Sequence, residues 1–224
     1  MRGVFSVVGH RGWPNRFPEN TLGGCIAAAE VADAVELDVR RCGDGKLVLS
    51  HDPVLGGLPV ATTPWASLSG IDLGDGHHPA LLDEVLAALP GTPVQMEVKN
   101  WPGELGFEPD HRLALETAER ARPGDVVTGF NPDSLAAVRR VYDNVTTGLC
   151  IPVGVAFDEG VIHCLHAGHE VLIAESSLIT EELNVFVEVF AWTVNDLERA
   201  RELVERGVTG IITDDPGLIS TLRE

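Results

Sequence analysis

Short apolar segments alternate with amphipathic helical patterns along the chain of 224 residues, and this alternation predicts an α/β fold, a (β/α)8 barrel. Eight strand–helix units can be counted, each with about 28 residues, which is sufficient for a closed barrel. Hydrophobic residues make up 44% of the chain, enough for a large core. An open doubly wound sheet is the alternative, but no glycine-rich dinucleotide-binding sequence follows the first strand. No linker or second core is evident, so we expect residues 1–224 to form a single domain.

Apolar runs of five to seven residues mark the strands. The first run leads into Gly9 and His10, and an Asp44-Gly45 pair predicts a turn between the second strand and its extension over 46–50. Between residues 53 and 79 glycine, proline, serine and threonine dominate, which predicts a short excursion after the second strand unit. The predicted strands are 4–8, 34–39 with its extension 46–50, 93–99, 125–129, 146–151, 170–174, 187–192 and 208–213.

Helical spacing of apolar residues marks the segments between the strands. In the first of them Leu22, Ile26 and Ala29 share one face, and Asn20 or Thr21 precedes them as a possible cap. The predicted helices are 20–31, 81–89, 110–121, 133–142, 158–167, 180–184, 195–206 and 216–222.

The formal charge of −18 excludes a nucleic-acid partner, which would need a basic face, and argues against adhesion to anionic membranes. The N-terminal apolar run is too short for a signal peptide, and no stretch approaches the roughly 20 apolar residues of a membrane span, so no stable membrane insertion is expected. The cysteines lack zinc-type or redox spacing, and buried, reduced thiols in a cytoplasmic protein are the expectation. The oligomeric state stays open.

Two apolar strands carry acidic residues at alternate positions. In VELDV, Glu36 and Asp38 leave the same face of the strand, and in VQMEVK, Glu97 and Lys99 do the same. In a barrel this face points inward, so three carboxylates would converge near the active-site mouth. Such a cluster is repulsive when empty and suits one hard divalent cation, Mg²⁺ or Ca²⁺. The alternative is a network of salt bridges at the mouth.

Two cations and two histidines complete a set suited to phosphodiester chemistry. Arg11 and Lys99 can reach the same mouth and neutralise phosphate oxygens, or else pair with the carboxylates. His10 and His51 each follow an extended segment, and two imidazoles can divide the proton transfers that cleavage of a phosphodiester requires. The other histidines lack this context and are expected at the surface or in packing.

Several short motifs occur in a recognisable order along the chain. They are HRG, PENT, VELDV, DGKLVLSHD, MEVK, WTVN and GVTGIITDDP. In this order, over nearly the whole chain, they resemble the glycerophosphodiester phosphodiesterase family. The resemblance implies a TIM barrel, one divalent metal ion, and hydrolysis of a small-molecule glycerophosphodiester to glycerol 3-phosphate and an alcohol.

Carried over residue by residue, the resemblance implies the same roles for the acidic, basic and histidine residues above. It further implies that Glu19 orients Arg11 or His10. Phe130 and Trp192 would line the pocket, Asn20 and Thr21 would cap the first helix, and Asn195 would start the helix after Trp192.

One segment departs from the family pattern. After His51 the chain reads LPVATTPW, where many members have an Arg-Thr-Thr-Gly run, so the alcohol released stays open. Two alternatives to glycerophosphodiester hydrolysis remain. One is a phospholipase-D-like enzyme acting on lysophospholipids or sphingomyelin, and the other is a barrel that binds phosphate ligands without catalysis.

Overall fold

The structure, a computed structural model, describes residues 5–223. Eleven strands lie in that range. They are β1 (Ser6–Gly9), β2 (Ala34–Arg41), β3 (Leu47–Leu49), β4 (Val54–Leu55), β5 (Leu58–Pro59), β6 (Val94–Val98), β7 (Val126–Gly129), β8 (Thr146–Ile151), β9 (Val171–Glu175), β10 (Glu188–Trp192) and β11 (Gly210–Thr213). The first residue of the predicted first strand, Val4, lies outside the described residues.

The α-helices follow the strands, and most start at a residue whose side chain accepts a backbone hydrogen bond or at an extended residue. They are α1 (Leu22–Ala29), α2 (Trp65–Leu68), α3 (Leu82–Ala88), α4 (Arg112–Ala118), α5 (Pro132–Val141), α6 (Phe157–Ala167), α7 (Leu197–Glu205) and α8 (Pro216–Ser220). Most predicted boundaries agree with these to within a few residues, as expected of helix ends that fray.

Eight parallel strands close into a barrel, which confirms the predicted (β/α)8 TIM fold. Strand β1 pairs in parallel with β2 on one side and with β11 on the other, so the sheet has no free edge between first and last strands. The alternative of an open doubly wound sheet is therefore wrong. Strand β3 adds to β2 in antiparallel orientation beyond the barrel, which agrees with the predicted extension.

The alternation of side chains on β2 separates two environments. Val35, Leu37 and Val39 are fully buried in the layer between the barrel and its helices. Glu36 and Asp38 point the other way, into the barrel. The remaining interior is packed by apolar side chains from the other strands, among them Val8, Cys150, Ile173, Phe190 and Ile212. The carboxylates therefore lie next to a layer of apolar side chains.

The excursion between β3 and α3 has more structure than the loop that its composition predicts. Strands β4 and β5 form a small antiparallel hairpin, followed by a 3-10 turn over Val60–Thr62 and by α2. A separate small core holds it to the barrel, formed by Cys42, Val48, Val60 and Leu68.

The predicted helix at 180–184 is wrong. Instead a 3-10 turn spans Ser176–Leu178, and residues 180–184 have no helical structure. A helix would pair the backbone N–H of Leu183 with the carbonyl of Ile179. That carbonyl instead accepts from Arg199 and Arg206, and the N–H of Leu183 donates to the carbonyl of Arg206.

The four cysteines are buried as free thiols, as the sequence predicts: Cys25, Cys42, Cys150 and Cys164. Among residues 5–223, none of the helices combines the length and the apolar composition needed to cross a membrane.

Candidate active site

Three carboxylates meet at the mouth of the barrel, as the sequence predicts. Asp38 on β2 lies directly beside Glu97 on β6, and Glu36 enters two residues earlier on β2. One oxygen from each of the three lies within 4.8 Å of the others. Glu36 and Asp38 are almost fully buried. Parallel pairing of the two strands therefore places three acidic groups around one point.

The three carboxylates differ in their electrostatic surroundings. Burial first, then repulsion from Asp38 and Glu97, raises the pKa of Glu36 well above its ordinary value. Burial also raises the pKa of Glu97, although Lys99 opposes the shift. Burial would raise the pKa of Asp38 as well, but Lys99 and Arg11 stabilise its charge and hold that pKa below the ordinary value.

One oxygen of Glu36 lacks any partner. Its Oε2 accepts a hydrogen bond of 2.8 Å from the backbone N–H of Arg11, whereas the buried Oε1 has no partner among the described residues. A buried carboxylate oxygen in this state is costly unless a cation or a donor reaches it. Together with an all-oxygen donor set, this orphaned atom fits a hard divalent cation held by Glu36, Asp38 and Glu97.

Lys99 lies against the acidic cluster. Its Nζ is 2.6 Å from Oε1 of Glu97 and 3.4 Å from Oδ1 of Asp38. Burial alone would lower the pKa of Lys99, but these two carboxylates raise it, so the side chain is an ammonium ion. The predicted alternative, pairing with the carboxylates, is what the structure contains.

Arg11 links the cluster to the loop after β1. Its Nη1 donates to Oε2 of Glu19 over 2.8 Å, so Glu19 lies where the predicted orienting role requires it. The Nε atom lies 3.2 Å from Oδ2 of Asp38 without the alignment of a hydrogen bond, so this contact is electrostatic. Arg11 has a φ of 53°, a left-handed conformation that costs a residue with a side chain about 1–2 kcal/mol.

Asn20 has a function that the sequence prediction missed. It was expected to help cap α1, but Thr21 is the cap and accepts from the backbone N–H of Gly24 over 3.3 Å. Asn20 instead faces Asp38: its Nδ2 donates to Oδ2 over 2.8 Å, and its Oδ1 accepts from the backbone N–H of Asp38 over 3.0 Å. With a φ of 57°, the chain turns this amide inward to fix one carboxylate of the cluster.

His10 has a carboxylate partner that was also missed. Its Nδ1 lies 2.6 Å from Oδ1 of Asp214, which follows β11. Hydrogen bonds with His10 and Asn195 hold the pKa of Asp214 below its ordinary value, against the effect of burial. Because an ionised carboxylate only accepts, Nδ1 of His10 carries the proton and Nε2 is the atom free to exchange one.

Asn195 belongs to the same arrangement. It was predicted to start the helix after Trp192, but Asp196 caps α7 by accepting from the backbone N–H of Arg199. Asn195 donates from Nδ2 to Oδ2 of Asp214 over 2.6 Å, and its Oδ1 accepts from the backbone N–H of Asp214 over 2.8 Å. Barrel closure could have revealed the contact between Asp214 and His10. It pairs β11 with β1 and so places the TDD sequence at the end of β11 next to His10.

His51 follows β3 and approaches the cluster from the other side. The backbone N–H of Ser50 donates to the carbonyl of Asp38 over 3.0 Å, which brings this segment over the end of β2. His51 adds to the effect of Lys99 and Arg11 in lowering the pKa of Asp38, and it opposes the rise in the pKa of Glu97 that burial causes. The Nδ1 of His51 lies 2.9 Å from Oδ1 of its neighbour Asp52.

Two aromatic residues line the interior pocket, as predicted. Phe130 and Trp192 stand nearly perpendicular, with ring centroids 5.5 Å apart, and both border the pocket that contains His10, Glu36 and Glu97. The buried Nε1 of Trp192 has no partner among residues 5–223. The pocket thus has an acidic wall and an aromatic wall.

Comparison with known proteins matches the chain to one family. The sequence matches the Glycerophosphoryl diester phosphodiesterase family over residues 10–218. It is 28% identical to a glycerophosphodiester phosphodiesterase of Caldanaerobacter subterraneus subsp. tengcongensis, over 96% of each chain.

Solved structures show the same architecture. A glycerophosphodiester phosphodiesterase of Thermotoga maritima is 26% identical, aligns over 100% of both chains and has a TM-score of 0.80. A phosphodiesterase of Oleispira antarctica, solved in complex with the product sn-glycerol-3-phosphate, is 23% identical over 96% of this chain and 95% of its own, with a TM-score of 0.81. The fold, the family match and the relatives lead to one conclusion: this chain belongs to the glycerophosphoryl diester phosphodiesterase family and is a phosphoric diester hydrolase.

Proposed function

We propose that this enzyme hydrolyses glycerophosphodiesters to glycerol 3-phosphate and an alcohol with the help of one divalent metal ion. The observation that carries the proposal is the convergence of three buried carboxylates within 4.8 Å, beside Lys99, at the mouth of the barrel. The product bound to the Oleispira antarctica relative supports the choice of substrate class. We further propose that residues 1–224 act as one domain.

Glu36, Asp38 and Glu97 would hold the metal ion, and their oxygen donors favour Mg²⁺ or Ca²⁺ over zinc. When bound, such an ion supplies Lewis acidity toward a phosphoryl oxygen and lowers the pKa of a hydroxyl nucleophile. Asn20 would keep Asp38 in place through its two hydrogen bonds.

Arg11 and Lys99 would bind the phosphate. Both are cations beside the carboxylates, and both have pKa values raised by those neighbours despite burial. The planar guanidinium of Arg11, held by Glu19, presents a fork to two phosphate oxygens, and Lys99 acts as a point charge. Their preorganised charge would stabilise the negative charge that grows on the phosphoryl group in the transition state.

His10 and His51 would carry out the proton transfers. One imidazole removes the proton of the nucleophile, and the other gives a proton to the alkoxide that leaves. Asp214 would position His10 so that Nε2 faces the pocket. Two nucleophiles fit this arrangement, water or a neighbouring hydroxyl of the substrate, and the second would give a cyclic phosphate before glycerol 3-phosphate.

A matrix of metal ions and substrates tests the proposal. The enzyme is treated with EDTA and then given Mg²⁺, Ca²⁺ or Mn²⁺, and glycerol 3-phosphate released from glycerophosphocholine is measured beside the products from lysophosphatidylcholine. We expect chelation to reduce turnover at least ~10²-fold and one of the ions to restore it. Faster turnover of lysophosphatidylcholine would favour the phospholipase-D-like alternative.

A substitution makes the test specific to the carboxylate cluster. Glu36→Gln should stay inactive at every metal concentration that restores the parent enzyme, because it removes a charged ligand. Glu205→Gln, at an exposed position near the end of α7, is the matched control and should behave as the parent does. Full activity in EDTA, or an active Glu36→Gln enzyme, would contradict metal-assisted hydrolysis.

A further inference from the structure

A groove of about 490 Å³ extends from the acidic cluster along the loop after β6. Its lining comes from residues 97–104 at the end of β6 and in the loop that follows, together with Phe130, Asn131 and Pro152. Glu97 and Phe130 also border the interior pocket, so the two spaces lie next to each other. Its volume lies in the range of small-molecule sites and is large enough for more than a phosphate group.

The amide side chains in the groove are already engaged within the protein. Asn100 donates to the carbonyl of Glu108 over 2.9 Å and accepts from its backbone N–H over 2.7 Å. Asn131 donates to the carbonyl of Asn100 over 2.7 Å and accepts from the backbone N–H of Asp133 over 3.1 Å. Both amides are almost fully buried, so neither is available to a hydroxyl group in the groove.

The charged side chains in the groove are paired as well. Glu104 forms a forked contact with Arg40, whose Nη2 lies 2.9 Å and Nη1 3.3 Å from its carboxylate oxygens. Lys99 is held by Glu97 and Asp38. The groove therefore offers neither an unpaired charge nor a free amide among its described side chains.

Apolar surface remains, and it comes from two aromatic residues and two prolines. Trp101 is 51% exposed, and it lines the groove with Pro102, Phe130 and Pro152. Apart from the indole N–H of Trp101 and the remaining lone pairs of the paired carboxylates, the side chains here offer a hydroxyl-rich alcohol few hydrogen bonds in exchange for those it makes with water, whereas methyl and methylene groups would gain contact.

We infer that this groove receives the alcohol half of the diester and selects alcohols that present methyl or methylene groups over polyols. The inference rests on the proposed function, because it places the phosphate at Lys99. Two sources share this chemistry, the trimethylammonium group of choline and a neutral branched alkyl group. Because the groove's charges are paired, we expect it to accept both.

Three glycerol 3-phosphate esters test the inference: the choline ester, its uncharged 3,3-dimethylbutyl isostere, and the glycerol ester. Initial rates of glycerol 3-phosphate release with the activating metal ion give kcat/KM for each. We expect both the choline and the dimethylbutyl esters to exceed the glycerol ester about tenfold or more, and to agree with each other within a few-fold.

Trp101→Ala should reduce the preference for the dimethylbutyl ester over the glycerol ester about tenfold, mainly through KM, and Trp101→Leu should reduce it less because it keeps an apolar side chain. Phe186→Ala, at a 96% exposed position before β10, is the control and should leave the preference unchanged.

Three results would overturn the inference while leaving the proposed function intact. These are equal or faster hydrolysis of the glycerol ester, a Trp101→Ala enzyme that loses the same factor on all three esters, and a choline ester more than tenfold better than its neutral isostere. Absence of turnover of every ester with Mg²⁺, Ca²⁺ and Mn²⁺ would instead overturn the proposed function itself.

Discussion

His10 and His51 have the same proposed task but different surroundings. His10 is 16% exposed and its partner Asp214 27%, and Asn195 holds that partner in turn. His51 is 36% exposed, and its partner Asp52 is 75% exposed and adjacent in sequence. The imidazole of His10 therefore belongs to a network of hydrogen-bonded side chains, whereas that of His51 contacts a solvent-exposed carboxylate.

His51 is held in position through hydrogen bonds to the backbone of its own segment. Arg40, a buried arginine on β2, donates from Nε and Nη2 to the carbonyl of His51 over 3.0 and 2.6 Å. The neighbouring Ser50 is tied to Asp38 through the main chain. The two histidines are thus positioned at one site in different ways, His10 by a carboxylate and His51 through its backbone. This difference predicts that loss of the neighbouring carboxylate lowers activity more for His10 than for His51.

Loss of either imidazole should have the largest effect. His10→Ala and His51→Ala should each reduce kcat at least ~10²-fold, because each removes one of the two proton transfers. Release of glycerol 3-phosphate at saturating substrate measures the loss. His166→Ala, at an exposed position on α6, is the control and should retain the parent activity within about twofold.

Thermal unfolding should show that both variants are folded. If either variant had nearly the turnover of the parent, the substituted histidine would not be catalytic. His10 and His51 would then differ in function as well as in surroundings.

The carboxylate partners should separate the two histidines. Asp214→Asn should reduce kcat about 10- to 10²-fold, because an amide can donate to Nδ1 of His10 and thereby favours the tautomer with its proton on Nε2. Asp52→Asn should cost less than about threefold, because an exposed ion pair contributes little and the backbone holds His51. Parallel measurements of kcat and KM give the result.

A role in positioning predicts that kcat falls while KM changes little in Asp214→Asn. If both substitutions had the same effect, the two histidines would be positioned in the same way and the distinction drawn from their exposure would be wrong.

The acidic cluster was predictable because it depends on local rules. Side chains alternate along a strand, and parallel strands adjacent in the barrel align Asp38 with Glu97. Nothing beyond strand assignment and neighbour order was needed. The same rules predicted which groups face the interior of the barrel, and they left the pairing of Lys99 with the carboxylates as the alternative to phosphate contact.

The partners of those residues required the closed fold. Asp214 meets His10 across 204 positions of sequence only because β11 pairs with β1. Asn20 looked like a helix cap because asparagine is favoured there, and the left-handed turn that aims it at Asp38 is not visible in the sequence. The predicted helix at 180–184 failed for the same kind of reason, since two arginines from a later unit occupy the carbonyl of Ile179 and the backbone N–H of Leu183 donates to the carbonyl of Arg206.

His169 offers a third environment, that of a buried imidazole without a carboxylate partner. Its Nδ1 lies 2.9 Å from Oγ1 of Thr147, and its Nε2 has no partner among the described residues. Burial first, then the positive charges of Arg139 and His163, lowers the pKa of His169 to about 4. His169 is therefore neutral in the folded protein near pH 7.

This shift predicts that His169 makes the stability of the fold depend on pH. Turnover should not depend on His169. Because the unfolded chain binds a proton at His169 near pH 6.5 and the folded protein only near pH 4, the stability from this group is lost as pH falls through that window. Between pH 7.5 and pH 5 the parent should lose about 2 kcal/mol more of its free energy of unfolding than His169→Asn does. Urea unfolding of both proteins at the two pH values measures the difference, and the cost of the substitution itself cancels. Equal losses in the two proteins would mean that His169 is protonated in the folded state. A large loss of turnover in His169→Asn at pH 7.5 would show that a buried histidine without a carboxylate partner can still take part in catalysis.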